Sequence, residues 1–215
     1  MPKLYGHPFS SYTWKALIAL YANRADFTFV ELDPSGDEHA QFVAAASPQG
    51  KFPVLVDGDA VVFEATAIIE HLAVHRPGPV QLIPSDPAQA ARVRMWDRVF
   101  DNYVMNLMQE SVAEAIRDGA LSPATRADVE ARLDRSYRWI EEWLASYARP
   151  EGVTLVECAA APSLFYADWV YRIPDGYPRL KAWRAELLAL PPVARCVEQA
   201  RPYRQFFPLG APDRD

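Results

Sequence analysis

In the N-terminal third of the chain, the spacing of apolar residues changes back and forth between that of a strand and that of a helix. Residues 3–5 form a short run typical of a strand, and residues 27–32 alternate as a second strand. Between them, apolar residues recur at helical spacing, which predicts a helix over residues 11–23. After a turn at residues 33–36, residues 37–46 predict a short helix. A helix between two strands indicates a parallel pair joined by a crossover.

A hairpin and a third helix complete this part of the chain. Residues 54–56 and 60–63 predict two strands, and Asp57-Gly58-Asp59 is a typical hairpin turn between them. Pro53 precedes the first of these strands, where its missing N–H interrupts no ladder bond. An apolar-periodic helix begins at residues 64–66. The predicted order is therefore βαβ, α, ββα, with a mixed sheet of four strands.

The hydrophobic pattern changes after residue 76. Four prolines within residues 76–87 disfavour helix and predict an extended, stiff linker. We therefore expect a domain over residues 1–76, a linker over residues 77–87 and a second, all-helical domain over residues 88–215. The helical patterns of the second domain cover residues 88–118, 123–148, a helix opened by a capping box at Thr154–Glu157, and residues 177–188 and 192–200.

Composition and charge narrow the class of partner. The chain has 215 residues, of which 50% are hydrophobic and 23% are charged, as in ordinary globular proteins. The net charge of −6 argues against a nucleic-acid or anionic-membrane surface. Cys158 and Cys196 lie in apolar helical patterns and are expected to be buried free thiols. The four histidines lack metal-ligand spacing, so no metal is expected. Without a signal peptide or a membrane-spanning run, a cytoplasmic location is the default expectation.

Two neighbouring segments suggest a binding site made largely of backbone atoms. One is the loop at residues 50–55, and the other is the predicted helix start at residues 64–68. The free N–H groups at a helix N-terminus bind carboxylates well. The pair of segments therefore predicts a site for a peptide-like anionic ligand.

The order of elements and four motifs resemble the cytosolic glutathione transferases. The first motif is Ser10-Ser11-Tyr12-Thr13-Trp14-Lys15, similar to the Ser-x-x-(Cys/Ser/Thr)-x-(Arg/Lys) segment of the serine-type enzymes. Lys51-Phe52-Pro53-Val54 is similar to the cis-proline loop of the family, and Phe63–Ile68 to its Glu-Ser-x-Ala-Ile element. The capping box at residue 154 matches a further family motif. The resemblance spans nearly the whole chain and implies a thioredoxin-like N-terminal domain followed by an all-α domain.

The resemblance implies that glutathione is the co-substrate and that its thiolate is the nucleophile. A thiol has an ordinary pKa of about 8.5, and lowering it by about two needs roughly 2.7 kcal/mol. One charge-assisted hydrogen bond of roughly 1.5–3 kcal/mol, with help from a helix N-terminus, is enough. Ser10 aligns with the activating serine. Ser11 as the donor, a purely capping role for Ser10, and Tyr5 as in other classes remain alternatives.

The glutathione-binding residues implied by the resemblance lie in two segments. A cis bond before Pro53 would expose the backbone of Val54 to the cysteinyl residue, like an added strand. Phe52 belongs to the same loop. Lys51 would pair with the glycyl carboxylate, or remain a solvated surface lysine.

The second segment would hold the γ-glutamyl end. Glu64 would orient this group, or only support the helix start. Ala65 stands where the family usually has a serine whose hydroxyl binds the γ-glutamyl carboxylate. Thr66 offers a hydroxyl instead.

A second pocket is expected between the two domains. Tyr12, Tyr103 and Met108 are the candidates to contact a small hydrophobic electrophile, although a stripe at helical spacing is more often core. The resemblance implies a homodimer, in which Asp101 would reach the glutathione amine of the partner subunit.

Three functions remain open at this level. The first is a serine-type glutathione transferase. The second is a zeta-like maleylacetoacetate isomerase, from which the chain departs because Tyr12 stands where that class has cysteine. The third, motivated by Ala65, is a binding or interaction protein of this fold without turnover.

Overall fold

Four short strands form one mixed sheet in the computed structural model, which describes residues 1–33, 36 and 38–215. The strands are β1 (Lys3–Gly6), β2 (Thr28–Glu31), β3 (Val54–Asp57) and β4 (Ala60–Phe63), in the spatial order β2-β1-β3-β4. β1 pairs with β2 in parallel and with β3 antiparallel, and β3 pairs antiparallel with β4. Gly58 in the hairpin turn has φ 61°, a conformation that glycine adopts without steric cost. The predicted mixed four-stranded sheet is confirmed.

Three helices accompany the sheet. They are α1 (Ser11–Ala22), α2 (Glu38–Ala46) and α3 (Ala65–His75). The predicted start of the second helix, at Asp37, and two of the four residues of the turn before it lie outside the described residues. α1 is the most deeply buried of the three, with Trp14 and Ile18 fully inaccessible to solvent.

Every regular element after residue 86 is helical in the part of the chain that the structure describes. The elements are α4 (Pro87–Phe100), a π-helical turn (Asp101–Met105), α5 (Asn106–Asp118), α6 (Pro123–Leu144), α7 (Leu155–Val170), α8 (Pro178–Ala189), α9 (Pro191–Ala200) and a 3₁₀ turn (Arg201–Phe206). α1 packs against α3 on one side and against α7 and α9 on the other, so it lies at the junction of the two halves.

The proline-rich segment between α3 and α4 is tied to both halves. Residues 76–86 form no helix or strand. The N–H of Val80 donates to Asn23 Oδ1 at 2.9 Å, and the N–H of Leu155 donates to the carbonyl of Leu82 at 2.9 Å. Leu82 is only 1% exposed. These contacts restrain how the sheet and the helices sit against each other across the cleft.

The long helix predicted over residues 88–118 is interrupted. The π-helical turn at Asp101–Met105 separates α4 from α5. A π turn adds a residue to the helical repeat and rotates the following side chains around the axis, often at a functional site. The spacing of apolar residues does not reveal such an insertion, so the prediction of one continuous α-helix was wrong here.

α7 begins with the predicted capping box, which is confirmed. Thr154 Oγ1 accepts from the N–H of Val156, and Glu157 Oε2 accepts from the N–H of Thr154 at 2.8 Å. Cys158 and Cys196 are buried free thiols, as expected, and burial raises the pKa of both. They are therefore poor nucleophiles and belong to the core.

Candidate active site

Two cavities formed by the described residues adjoin in the cleft between the sheet and the helices. The larger has a volume of about 630 Å³ and the smaller about 310 Å³. The larger is lined mainly by Ser10, Tyr12, Ser47, Lys51, Phe52, Pro53, Glu64, Ala65, Arg98, Asp101, Asn102, Asn106 and Gln109. The smaller is lined by His7, Phe9, Ser10, Ser11, Phe52, Met108, Gln109, Val112, Ile116, Tyr166, Phe206, Phe207 and Pro208. Ser10, Phe52 and Gln109 line both.

Ser10 is the N-cap of α1 and lies where the two cavities meet. Its Oγ accepts a hydrogen bond from the N–H of Thr13 at 3.3 Å, and its own N–H donates to the carbonyl of His7 at 3.0 Å. The loop before it is anchored because the Trp14 indole donates to the carbonyl of Pro8 at 2.6 Å. A hydroxyl has one donor and two acceptor positions, and the cap uses only an acceptor. The O–H of Ser10 is therefore free to donate into the cleft.

The two residues after Ser10 differ in their surroundings. Ser11 is 3% exposed, and its Oγ has no hydrogen-bond partner among the described residues. Tyr12 lines the larger cavity rather than the smaller. Its hydroxyl donates to Asn106 Oδ1 at 2.8 Å, and burial raises its pKa, so the side chain is a neutral wall of the larger cavity.

The loop before β3 contains the predicted cis peptide, which lies between Phe52 and Pro53. Val54 does not have the accessible backbone expected of it. It is fully buried in β3, with Tyr5 of β1 and Phe63 of β4 beside it in register, and it does not line the cavity. Strands on both sides cover the backbone of this central strand. Phe52, which precedes the cis bond, has no backbone hydrogen bond within the described chain.

The start of α3 forms the opposite wall of the larger cavity. Glu64 precedes the helix with φ 69° and ψ 117°, a conformation that costs a non-glycine residue of order 1 kcal/mol. This backbone turn leaves the Glu64 side chain exposed and without a capping hydrogen bond. Ala65 is 4% exposed and lines the cavity. The first N–H groups of α3 lack intrahelical partners, so this wall can accept an anion.

An ion cluster lies beneath this wall and consists of Lys15, Thr66, Asp97, Arg98 and Asp101. Lys15 Nζ is ion-paired with Asp97, and it donates to Asp101 Oδ2 at 2.7 Å and to Thr66 Oγ1 at 2.8 Å. The side chains of Lys15 and Asp97 are 1% and 0% exposed. The cluster therefore joins α1, α3 and α4 at the point where each contributes to the larger cavity.

The hydroxyl of Thr66, which was expected to replace that of a serine, is hydrogen-bonded within the ion cluster. Thr66 Oγ1 accepts from Lys15 and from Arg98, and it donates to Asp97 Oδ2 at 3.0 Å. Since all three positions of the hydroxyl are used, the Thr66 side chain is not free to replace the serine hydroxyl towards a ligand in the cavity. Asp101 is likewise bound within its own chain, and burial raises the pKa of its carboxyl. Sequence reasoning missed the cluster, although a lysine inside the apolar run of α1 was a signal for it.

Aromatic and aliphatic side chains dominate the smaller cavity. Met108 lies there and is 1% exposed. Tyr103 does not, because the π-helical turn leaves it 57% exposed and outside both cavities. The aromatic residues that sequence reasoning missed come from α7 and the C-terminal segment, namely Tyr166, Phe206 and Phe207. The Tyr166 hydroxyl donates to the carbonyl of Phe9 at 2.8 Å, which closes one side of the cavity.

His71 contacts Asp57 and His75, and all three lie outside both cavities. His71 Nε2 lies 3.1 Å from Asp57 Oδ2, and its ring packs against His75. Within the described ranges, no group of three or more His, Cys, Asp or Glu side chains is arranged to hold a metal ion. None of the described helices combines the length and the apolar character that a membrane span requires.

The chain was compared with known protein families, curated proteins and solved structures. The model of the glutathione S-transferase N-terminal domain matches residues 4–80. Glutathione S-transferase PARB of Nicotiana tabacum is 29% identical over 207 residues, covering 92% of this chain and 97% of the relative. A probable maleylacetoacetate isomerase of Vibrio cholerae is 28% identical over 213 residues, covering 93% and 96%.

A solved structure agrees over a similar length. The glutathione S-transferase of Methylobacillus flagellatus, with glutathione bound, superimposes with a TM-score of 0.77 at 25% identity, covering 91% of this chain and 98% of that one. The match thus extends from the sheet through the helical half. Residues 4–80 therefore belong to the glutathione S-transferase N-terminal domain family, and the chain as a whole is similar to glutathione transferases along most of its length.

Proposed function

We propose that the chain is a serine-type glutathione transferase. Glutathione would occupy the larger cavity, Ser10 would hold its thiolate, and an uncharged hydrophobic electrophile would occupy the smaller cavity. The observation that carries this proposal is the position of Ser10, which lines both cavities and has its O–H donor free. A sulfur bound there would face the electrophile directly.

The larger cavity suits an extended tripeptide with a carboxylate at each end. Lys51 lines it, and its exposed ammonium can pair with the glycyl carboxylate. Phe52 lines it too, and its unpaired backbone can bind the cysteinyl backbone as an added strand would. Glu64 and the first turn of α3 can hold the γ-glutamyl group, which carries both an ammonium and a carboxylate.

Activation of the glutathione thiol requires only a modest electrostatic stabilisation of the thiolate. One hydrogen bond from the Ser10 hydroxyl to the sulfur favours the thiolate over the thiol. The N-terminus of α1 adds a partial positive charge at the same place. Together these terms supply the roughly 2.7 kcal/mol that lowers the thiol pKa by about two.

The smaller cavity favours an uncharged electrophile. No lysine or arginine of the described chain lines it, and its walls are largely aromatic and aliphatic. Burying an unpaired anion there would be costly. This argues against maleylacetoacetate, an anionic substrate, although relatives with isomerase names match the chain along most of its length.

The test is calorimetric titration of the purified chain with glutathione, followed by conjugation assays with uncharged aryl and alkyl electrophiles. We expect saturable binding, a bound thiol whose pKa lies about two below 8.5, and conjugation. Turnover of maleylacetoacetate without conjugation would favour the isomerase. If no heat of binding is measured at millimolar glutathione, the result would favour a binding or interaction protein of this fold without turnover.

We further propose that the chain forms a homodimer. Large apolar side chains are exposed on the edge strand β4 (Val61, 47%) and on α3 (Val74, 70%). α4 exposes Met95 (50%), and the π-helical turn exposes Tyr103 (57%). Exposed apolar groups on neighbouring elements are typical of an interface. Sedimentation velocity is expected to give twice the monomer mass of 24.2 kDa, and a monomer at micromolar concentration would contradict the proposal.

A further inference from the structure

Arg98 lies on the wall of the larger cavity, directly beside the helix start that lacks a serine hydroxyl. It projects from α4, and its Nη2 contacts the hydroxyl of Thr66 in the first turn of α3. Ala65, the residue before Thr66, lines the same cavity. A guanidinium therefore stands next to the position at which an anionic ligand group would meet α3.

The ion cluster uses only part of the guanidinium. Nε donates to Asp97 Oδ2 at 2.9 Å, and Nη2 lies 2.6 Å from Asp97 Oδ2 and 2.5 Å from Asp101 Oδ2. Nη1 has no partner within the described chain, and half of the side chain is exposed. Arginine has five N–H donors in a fixed fork, so the two on Nη1 are available to a ligand.

The charges around Arg98 explain why its position is fixed. Lys15 and Arg98 together balance the two carboxylates of Asp97 and Asp101. The guanidinium is therefore held in place by buried partners, while the cluster as a whole does not repel an anion. A preorganised arginine loses less rotamer entropy on binding a carboxylate than a free one does.

Glu64 completes the arrangement on the same wall. Its carboxylate is exposed, lines the cavity, and has no ion pair within the described chain. An amino-acid group carries one carboxylate and one ammonium. The wall offers Arg98 for the first and Glu64 for the second.

We propose that Arg98 binds the α-carboxylate of the γ-glutamyl group, in place of the hydroxyl that Ala65 cannot provide. The carboxylate would accept from Arg98 Nη1 and from the free N–H groups of the first turn of α3. This inference rests on the proposed function, because it takes glutathione as the ligand of the larger cavity.

The test compares glutathione with an analogue that lacks only this carboxylate, γ-aminobutyryl-cysteinyl-glycine. The wild-type chain is expected to bind glutathione more tightly than the analogue. The Kd of the analogue divided by the Kd of glutathione measures recognition of the carboxylate. Loss of a charge-assisted contact predicts that Arg98→Gln lowers this ratio about tenfold to a hundredfold. An unchanged ratio in Arg98→Gln would overturn the assignment.

Arg94→Gln is the matched control. Arg94 lies one turn earlier on α4, is exposed to a similar extent, and forms a two-point ion pair with Glu70 outside the cavity. Its substitution is expected to leave the ratio unchanged. A fall as large as that of Arg98→Gln would show that the effect is not specific to Arg98 and would overturn the proposal.

A second variant covers the possibility that Arg98→Gln does not fold. Arg98→Lys keeps the charge of the ion cluster, but an ammonium shared with Asp97 and Asp101 lacks the free fork. We expect its ratio to fall severalfold, and an unchanged ratio would contradict the proposal. If the wild-type chain binds neither ligand, the proposed function fails. If it binds both with equal affinity, only the inference about Arg98 fails.

Discussion

Lys15→Met is expected to lower the free energy of unfolding by about 3–5 kcal/mol. The ammonium is 1% exposed and holds the buried carboxylates of Asp97 and Asp101. Methionine fills a similar volume but leaves these two charges with Arg98 alone. Removing one partner of a buried ion pair is costly because the other partner remains buried without compensation.

Thermal and denaturant unfolding measure this effect, and we expect a fall in Tm of about 10 °C or more. Lys181→Met is the matched control, since Lys181 pairs with Asp175 at the surface and its loss is expected to cost at most about 1 kcal/mol. The double variant Lys15→Met with Asp97→Asn removes one charge of each sign and should recover part of the loss. A Lys15→Met variant as stable as Lys181→Met would show that the ion cluster contributes little.

Ser10→Ala is expected to reduce kcat/KM for conjugation about 10- to 100-fold at neutral pH. The variant loses the donor to the sulfur, so the pKa of bound glutathione should return towards about 8.5. The wild-type rate is expected to level off about two pH units lower than that of the variant. Because only the ionised thiol reacts, the variant should approach the wild-type rate once the pH exceeds the higher pKa. A pH–rate profile therefore separates loss of thiol activation from loss of structure.

The capping role of Ser10 needs a control of its own. Ser122 caps α6 with the same geometry, its Oγ accepting from the N–H of Thr125 at 3.2 Å, and it lies outside both cavities. Ser10→Ala and Ser122→Ala should each lose about 1 kcal/mol of stability, but only the former should change the pH profile. Ser11→Ala decides between the two adjacent serines, and a shifted profile in that variant alone would assign the donor to Ser11. If the pH–rate profiles of all three variants equal that of the wild type, Ser10 acts only as a helix cap.

Local sequence signals predicted local structure well. The hairpin turn at Gly58 and the capping box at Thr154 each depend on residues within a few positions of one another, whereas the cis bond before Pro53 was expected from the resemblance to the family. The spacing of apolar residues likewise predicted the mixed sheet and the helical second half. The wall of the larger cavity was found for the same reason, because Glu64 and Ala65 mark a helix start in the sequence itself.

Only the tertiary structure decided which of these side chains are free to meet a ligand. Lys15 contacts Thr66 and Asp101, which are 51 and 86 positions away in the chain, so its burial and the engagement of the Thr66 hydroxyl leave no local pattern. The π-helical turn exposes Tyr103, and neighbouring strands cover Val54, through geometry that a linear period does not contain. Local hydrogen bonds and φ preferences determine elements, whereas burial and charge pairing depend on how distant elements pack.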